Sequence, residues 1–133
     1  MRPEAPIEAL RPALEGACDS LGLALDPAAL DRLLAYLALL QRWNATYNLT
    51  AVRDPGEMLT QHLADCLAVV GPLRRQLGAG TSRRILDVGS GGGLPGVLIA
   101  IFRPEAQVTC VDAVGKKAAF VRQVAGTLSL PNL

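Results

Sequence analysis

Aromatic side chains are scarce in this chain: two Phe, two Tyr and one Trp among 133 residues, although half of the residues are apolar. The core such a sequence can build is aliphatic, and that apolar content argues against global disorder. Histidine occurs once, at His62. The three cysteines, Cys18, Cys66 and Cys110, are odd in number and widely spaced, with no Cys-x-x-Cys pair. They read as reduced, packed thiols, with neither a zinc site nor a disulfide framework. Long hydrophobic runs are missing too: LLAYLALL and GVLIAIF fall far short of a membrane span. The first dozen residues carry two acids and three prolines and no unbroken apolar segment, so no signal peptide is expected. The expectation is a soluble, cytoplasmic protein with no metal and no membrane partner.

Net charge is only +1, but it is unevenly spread. Residues 1–70 hold five Arg and nine Asp or Glu, a balance of −4, and residues 71–133 hold eight Lys or Arg and three acids, a balance of +5. A basic second half fits a polyanion such as RNA, or simply a solvated surface.

Hydrophobic periodicity predicts helices over 6–22 and 27–43. In the second, Asp26 is the expected cap, Pro27 occupies the first position, and Leu30, Leu33, Leu34, Leu37 and Leu40 form one stripe closed by Trp43. NATYNLT reads as an irregular connection. DPGE then repeats the start signal, with Asp54 as cap, Pro55 first and Glu57 in the capping-box position. The helix it opens runs through His62, Leu63, Cys66 and Val69 to the stretch GPLRRQLGAGTS, the best place for a domain boundary. Residues 1–80 are thus expected as a helical extension and 81–133 as a second unit.

In that second unit the period changes. RILDV (84–88) reads as a strand, PGVLIAIF as a short helix stopped by Arg103-Pro104, QVTCVD (107–112) as a second strand, and VGKKAAFVRQVAGTLSL as a second helix. The fold class is α/β: a βαβα portion of a parallel, doubly wound sheet behind an amino-terminal helical extension. Parallel sheets are buried on both faces and normally have more strands. The chain is therefore expected to be the front part of a longer protein, with edges open to self-association.

Between the first strand and helix lies LDVGSGGGLPG, with five glycines in the eight positions 89–96. Gly89, Gly91 and Gly93 can take backbone angles closed to other residues and let a ligand approach the main chain. Two ligands compete. Gly91 through Gly96 formally match the dinucleotide pattern GxGxxG, a weak signal alone. Against it, Asp87 at the strand end would face a pyrophosphate unfavourably but would welcome a sulfonium or an α-amino group. Some eighty residues also precede the first strand, whereas dinucleotide fingerprints more often open their domain. Asp112, at the end of the second strand, suits a ribose hydroxyl pair in either class. S-adenosylmethionine is the favoured cofactor. A nicotinamide-dependent oxidoreductase and a non-catalytic RNA- or ribosome-binding fragment remain the alternatives.

NLTAVRDPGEMLTQHLADCLAV, followed by DVGSGGGLPGVLIAIFRPEAQVTCVDAVGKKAAFVRQV, closely resembles the bacterial glucose-inhibited division protein B family, the 16S rRNA guanine-N7 methyltransferases. The resemblance runs from about Leu33 to the last residue. It implies a class I, Rossmann-like methyltransferase of which these 133 residues are an incomplete, weakly active or inactive portion. It places the cofactor on Gly89, Gly91, Gly93 and Leu94, with Ser90 keeping the hydroxyl of a usual Thr, Gly92 in place of a usual Pro, Asp112 at the ribose, and Ala113 where Ser is common. Family residues that hold the adenine after a third strand have no counterpart here. His62 and Asp65, three apart on one helix, are expected to close the cofactor pocket or to pack. Lys116, Lys117 and Arg122 are expected at the RNA of the small ribosomal subunit or on a solvated face, and Arg53 touches that RNA or fixes its connection. Trp43 and Tyr47 stack a base or, more simply, pack in the core. Attack by guanine N7 uses a neutral lone pair and needs no general base, in keeping with the lack of a nucleophile–base constellation; no catalytic residue is assigned.

Overall fold

A computed structural model describes residues 7–23, 26–47, 63–77, 84–89 and 93–133. A single 3-10 turn, Ile7–Leu10, leads into α1 (Arg11–Ser20), followed by α2 (Pro27–Tyr47) and α3 (Ala64–Leu77). Then come β1 (Arg84–Val88), α4 (Gly96–Phe102), β2 (Gln107–Val111) and α5 (Gly115–Thr127). This is the expected mixed α/β order, with helices first and a small parallel sheet after them.

The start of α2 follows its sequence signal: Asp26 Oδ1 accepts the Ala29 N–H at 2.7 Å, satisfying one of the free donors of the first turn. Leu30, Leu33, Leu34, Leu37 and Leu40 are all buried, with Tyr36 and Leu39 widening the stripe. The helix does not stop at Trp43 as expected but continues one turn to Tyr47. Asn44, which reads as the first polar residue of a loop, is buried in that added turn. The next helix ends at Leu77, within the stretch GPLRRQLGAGTS where its end was expected, and carries Pro72 inside it. Pro72 deletes one backbone donor, but Leu67 and Val70 are buried on either side of the exposed Val69, and Leu73 packs on the core. That apolar stripe holds the turn together despite the missing bond. The start signal at Asp54, Pro55 and Glu57 lies outside the described residues, as does the boundary expected at residue 80.

β1 and β2 pair in parallel, Ile85 level with Val108 and Asp87 level with Cys110. Side chains alternate across this sheet. Ile85, Asp87, Val108 and Cys110 turn inward, whereas Leu86, Val88 and Val111 are exposed on the opposite face. Helix α4 is apolar all round, and every residue from Gly96 to Ile101 is buried. It packs against β2, α2 and α3. One apolar cluster accordingly joins Leu14 of α1, Leu37 of α2, Leu67 of α3, Leu98 of α4, Val108 of β2 and Phe120 of α5. Trp43 is part of this packing: its ring lies 5.5 Å from that of Phe120, so of its two expected roles the structure shows the core one.

Candidate cofactor site

The site forms where β1 gives way to α4, because both strands end there and main-chain groups become available beyond them. The Gly89 N–H continues the ladder, donating to the Val111 carbonyl at 2.7 Å. Gly89 then takes φ +72°, and among the described residues a Cβ there would meet no atom within 4 Å. Gly93, at φ +95°, is enclosed instead: a Cβ would lie 2.6 Å from Val97 Cγ2 and 3.3 Å from Val121 Cγ2. Two glycines of one loop thus serve different ends, the first opening space and the second permitting close packing. Ser90 and Gly91 lie outside the described residues, and so do His62 and Arg53.

Asp87 sits half-buried at the end of β1, and its Oδ2 accepts the Gly96 N–H at 3.0 Å. Burial pushes its carboxyl above the ordinary carboxylate range, and the Gly96 N–H pulls it part of the way back. A Cβ on Gly96 would lie 2.5 Å from Cys110 Sγ and 2.9 Å from Asp87 Oδ2. Gly96, the last glycine of the formal GxGxxG match, therefore lets α4 sit directly on the sheet. The sequence pointed to Asp87 but not to this partner; the readable signal was a glycine at the first helical position after an acid-ended strand.

At the end of β2, Asp112 is half-buried and its Oδ1 accepts the Val114 N–H at 2.8 Å, which fixes the carboxylate over the start of α5. Leu94 is partly buried and packs on the core. Lys116, Lys117 and Arg122 all belong to α5, with Lys116 and Arg122 exposed and Lys117 partly covered. Asp65 is exposed in the first turn of α3. Among the described residues, no group of three or more His, Cys, Asp or Glu could hold a metal ion, and no helix is long and apolar enough to cross a membrane.

Asn132 carried no expectation, yet its buried side-chain amide bonds to three main-chain carbonyls near the sheet. Its Nδ2 donates to the carbonyls of Ala100, Arg103 and Ala106 at 3.0, 3.1 and 3.0 Å. It thereby satisfies the last carbonyls of α4 and the turn that leads to β2.

Comparison with known proteins agrees with this arrangement. A family model described as GidB, rRNA small subunit methyltransferase G, matches residues 29–133. The "Ribosomal RNA small subunit methyltransferase G" of Bordetella petrii is 64% identical over 120 residues, covering 90% of this chain and 47% of that protein. Proteins of the same name from Bordetella pertussis and Leptothrix cholodnii are 60% and 58% identical over 123 residues, with 54% and 56% of their lengths covered. The chain spans about half the length of the curated relatives it matches. With a matched region that takes in most of α2, both strands and the glycine loop between them, the chain belongs to the GidB family of small-subunit rRNA methyltransferases.

Proposed function

We propose that this chain supplies the cofactor-binding portion of an S-adenosylmethionine-dependent methyltransferase that modifies guanine N7 in the 16S rRNA of the small ribosomal subunit, in the cytoplasm. The observation that carries this reading is the hydrogen bond from Gly96 N–H to Asp87 Oδ2. In a dinucleotide site the first N–H groups of this helix would face a pyrophosphate. Here one of them is already taken by a carboxylate, whose charge would repel an anionic ligand and favour a cationic one. The nicotinamide alternative loses support on that ground.

The residues present suit S-adenosylmethionine. Gly89 offers an approachable main chain, Asp87 a carboxylate for the ammonium or sulfonium end, and Asp112 an acceptor for ribose hydroxyls, with Ser90, Gly91, Gly93 and Leu94 completing the loop. When bound, the cofactor supplies an electrophilic methyl group. The chain's own work is alignment: the paired strand ends hold Asp87, level with Cys110, and Asp112 two residues beyond it, and the buried α4 keeps the loop from shifting. Sustaining positive charge near the methyl group falls to Asp87. No side chain needs to remove a proton, because N7 attacks through a lone pair. The guanine must be in a loop or turned out of its stack to present that edge. Lys116, Lys117 and Arg122, on one helix beyond the site, are suited to RNA phosphates; Arg53 is a further phosphate contact, and His62 and Asp65 close the pocket.

The test is calorimetric titration with S-adenosylmethionine, and with NAD as control, on the chain and on a chimera completed by the unmatched half of the Bordetella petrii protein. The chimera should bind S-adenosylmethionine and not NAD. Asp87→Asn in the chimera keeps an acceptor for Gly96 and removes the charge, so affinity should fall about tenfold or more. Binding of NAD alone would overturn the assignment.

A further inference from the structure

The start of α5 is the weaker end of that helix. Its middle is anchored by Phe120, Val121 and Val124, all buried. Its first turn is Gly115, Lys116 and Lys117, with no acidic residue and no side-chain hydrogen bond from the capping position at Val114. Glycine costs the most backbone entropy to order, and cations sit unfavourably at the positive end of a helix dipole. Gly115 and Lys116 are also exposed, so packing adds little there. This turn is accordingly the part of α5 closest to fraying. When it is formed, the Lys117 and Ala118 N–H groups donate to the Val114 carbonyl at 3.0 and 3.2 Å.

Two ties join α5 to the cofactor site. The first is the Val114 N–H, which donates to Asp112 Oδ1 at 2.8 Å. Val114 is thus held to the end of β2 through its N–H while its carbonyl holds the first amides of the helix. The second tie is Val121, whose Cγ2 lies 3.3 Å from the Cβ position of Gly93 at the end of the glycine loop. Both ties end on residues assigned above to the cofactor, whereas Lys116, Lys117 and Arg122 of the same helix are assigned to RNA phosphates. A carboxylate has about four lone-pair positions, so Asp112 can accept ribose hydroxyls and keep the Val114 N–H. A ribose bonded there restricts the carboxylate and, through Val114, the turn that follows.

We propose that the first turn of α5 links the cofactor site to the RNA surface, so that each ligand strengthens the binding of the other. The inference rests on the function proposed above and adds a regulation of that site. The two states are the formed and the frayed turn, and both ligands favour the first. Cofactor on Asp112 orders Lys116 and Lys117 before phosphates arrive, and the RNA no longer bears that entropy cost. Linkage makes the effect reciprocal: RNA raises cofactor affinity by the same factor.

The experiment uses the chimera described above and 16S rRNA transcribed without modification, at one fixed salt concentration. RNA affinity is measured with and without saturating S-adenosylhomocysteine, the product that keeps the ribose and lacks the sulfonium charge. Hydrogen exchange reads the Lys117 and Ala118 amides in the same samples. S-adenosylhomocysteine should slow exchange at both amides and tighten RNA binding about fivefold or more. Gly115→Ala strengthens the turn without touching either ligand, since a Cβ there meets no described atom within 4 Å. It should tighten cofactor-free RNA binding by about two- to fivefold and shrink the effect of S-adenosylhomocysteine. Gly126→Ala, the same change at the far end of α5, should leave that effect as it was. RNA affinity indifferent to S-adenosylhomocysteine overturns the link and leaves the proposed function standing. An effect undiminished in Gly115→Ala, or equally diminished in Gly126→Ala, does the same. So does an effect seen with S-adenosylmethionine but not S-adenosylhomocysteine, because the positive charge of the cofactor then attracts the RNA directly. A chimera that binds no cofactor, or no RNA, removes the proposed function and the link with it.

Discussion

The Asp87 carboxylate and the Gly96 main-chain N–H, nine residues apart and 3.0 Å from each other, close the glycine loop from behind. The strand end and the helix start are thereby held as one unit, while a Cβ on Gly89 would meet none of the described atoms within 4 Å. A single acid thus both places a negative charge at the site and fixes the frame around it. Structure and charge can be separated by substitution, because an amide at position 87 retains the acceptor and loses the charge.

That separation has a pH signature. Burial raises the Asp87 carboxyl above its ordinary range in the folded chain. A group raised on folding contributes stability that is complete below its unfolded value, about 4 for Asp, and is lost as pH rises through the folded value. Asp87→Asn carries no such term. The variant should therefore melt at or above the parent temperature near about pH 7, with the gap closing as pH is lowered toward about 4. Thermal melts of both proteins across that window check it; a gap independent of pH would show that Asp87 titrates as it does in the unfolded chain.

Gly96→Ala should destabilise through overpacking rather than backbone strain. The new Cβ would lie 2.5 Å from Cys110 Sγ, inside any tolerable contact. Such substitutions cost about 1–3 kcal/mol. Cys110→Ala removes the opposing sulfur, so the two changes should be less than additive, with a coupling of about 0.5–3 kcal/mol. Urea unfolding of the two single variants and the double variant measures the coupling directly.

The loop's other glycines should separate by mechanism. Gly89→Ala meets no other described residue and incurs the left-handed backbone term, about 1–2 kcal/mol. Gly93→Ala meets Val97 and Val121 as well, adding an overpacking cost of about 1–3 kcal/mol. The melting temperature should therefore fall further for Gly93→Ala. In the chimera, Gly89→Ala should be the variant that loses cofactor affinity out of proportion to its stability.

Asn132 allows a test of opposite sign. Asn132→Ala leaves buried carbonyls without their donor, at a cost of about 1–3 kcal/mol. Asn132→Asp sets a carboxylate against three carbonyl oxygens, which opposes ionisation. The Asp variant should be less stable than the Ala variant at about pH 7 and should recover part of its stability as the carboxyl protonates on acidification. Melting temperature against pH for the two variants reads this out.

What the sequence disclosed was local. Asp26 before Pro27, the leucine stripe of α2, the first strand and the second strand up to Val111 are all written within a few positions of one another, and the structure follows them. Asn44 misled because it is a good loop signal in isolation, overridden by apolar neighbours such as Leu40 that bury its turn. Relationships across the chain had no local mark. The amide of Asn132 reaches carbonyls 26 to 32 residues away, and nothing in LPNL announces it. Asp87 was legible as an acid at a strand end, yet its bond to Gly96 depends on how closely α4 approaches the sheet.

The junction between the helical half and the sheet half rests on Phe120, which is fully buried between Tyr36 and Trp43 of α2, at ring distances of 6.2 and 5.5 Å. Both pairs are tilted, at 51° and 59°, the geometry that sets the edge of one ring toward the face of another. Phe120→Ala should cost about 3–5 kcal/mol, since it removes the ring and leaves a cavity among residues fixed on two elements. Phe120→Leu restores apolar volume but not the ring contacts, and should recover all but the last part, about 0.5–1.5 kcal/mol. Trp43 is the single tryptophan of the chain, so the emission reports on the surroundings of this one ring. In Phe120→Ala the emission should move to longer wavelength before the far-ultraviolet dichroism changes, as α2 separates from α5 while each helix persists. Simultaneous loss of both signals would mean instead that α2 cannot stand apart from the sheet, and that the helical half and the glycine loop unfold as one unit.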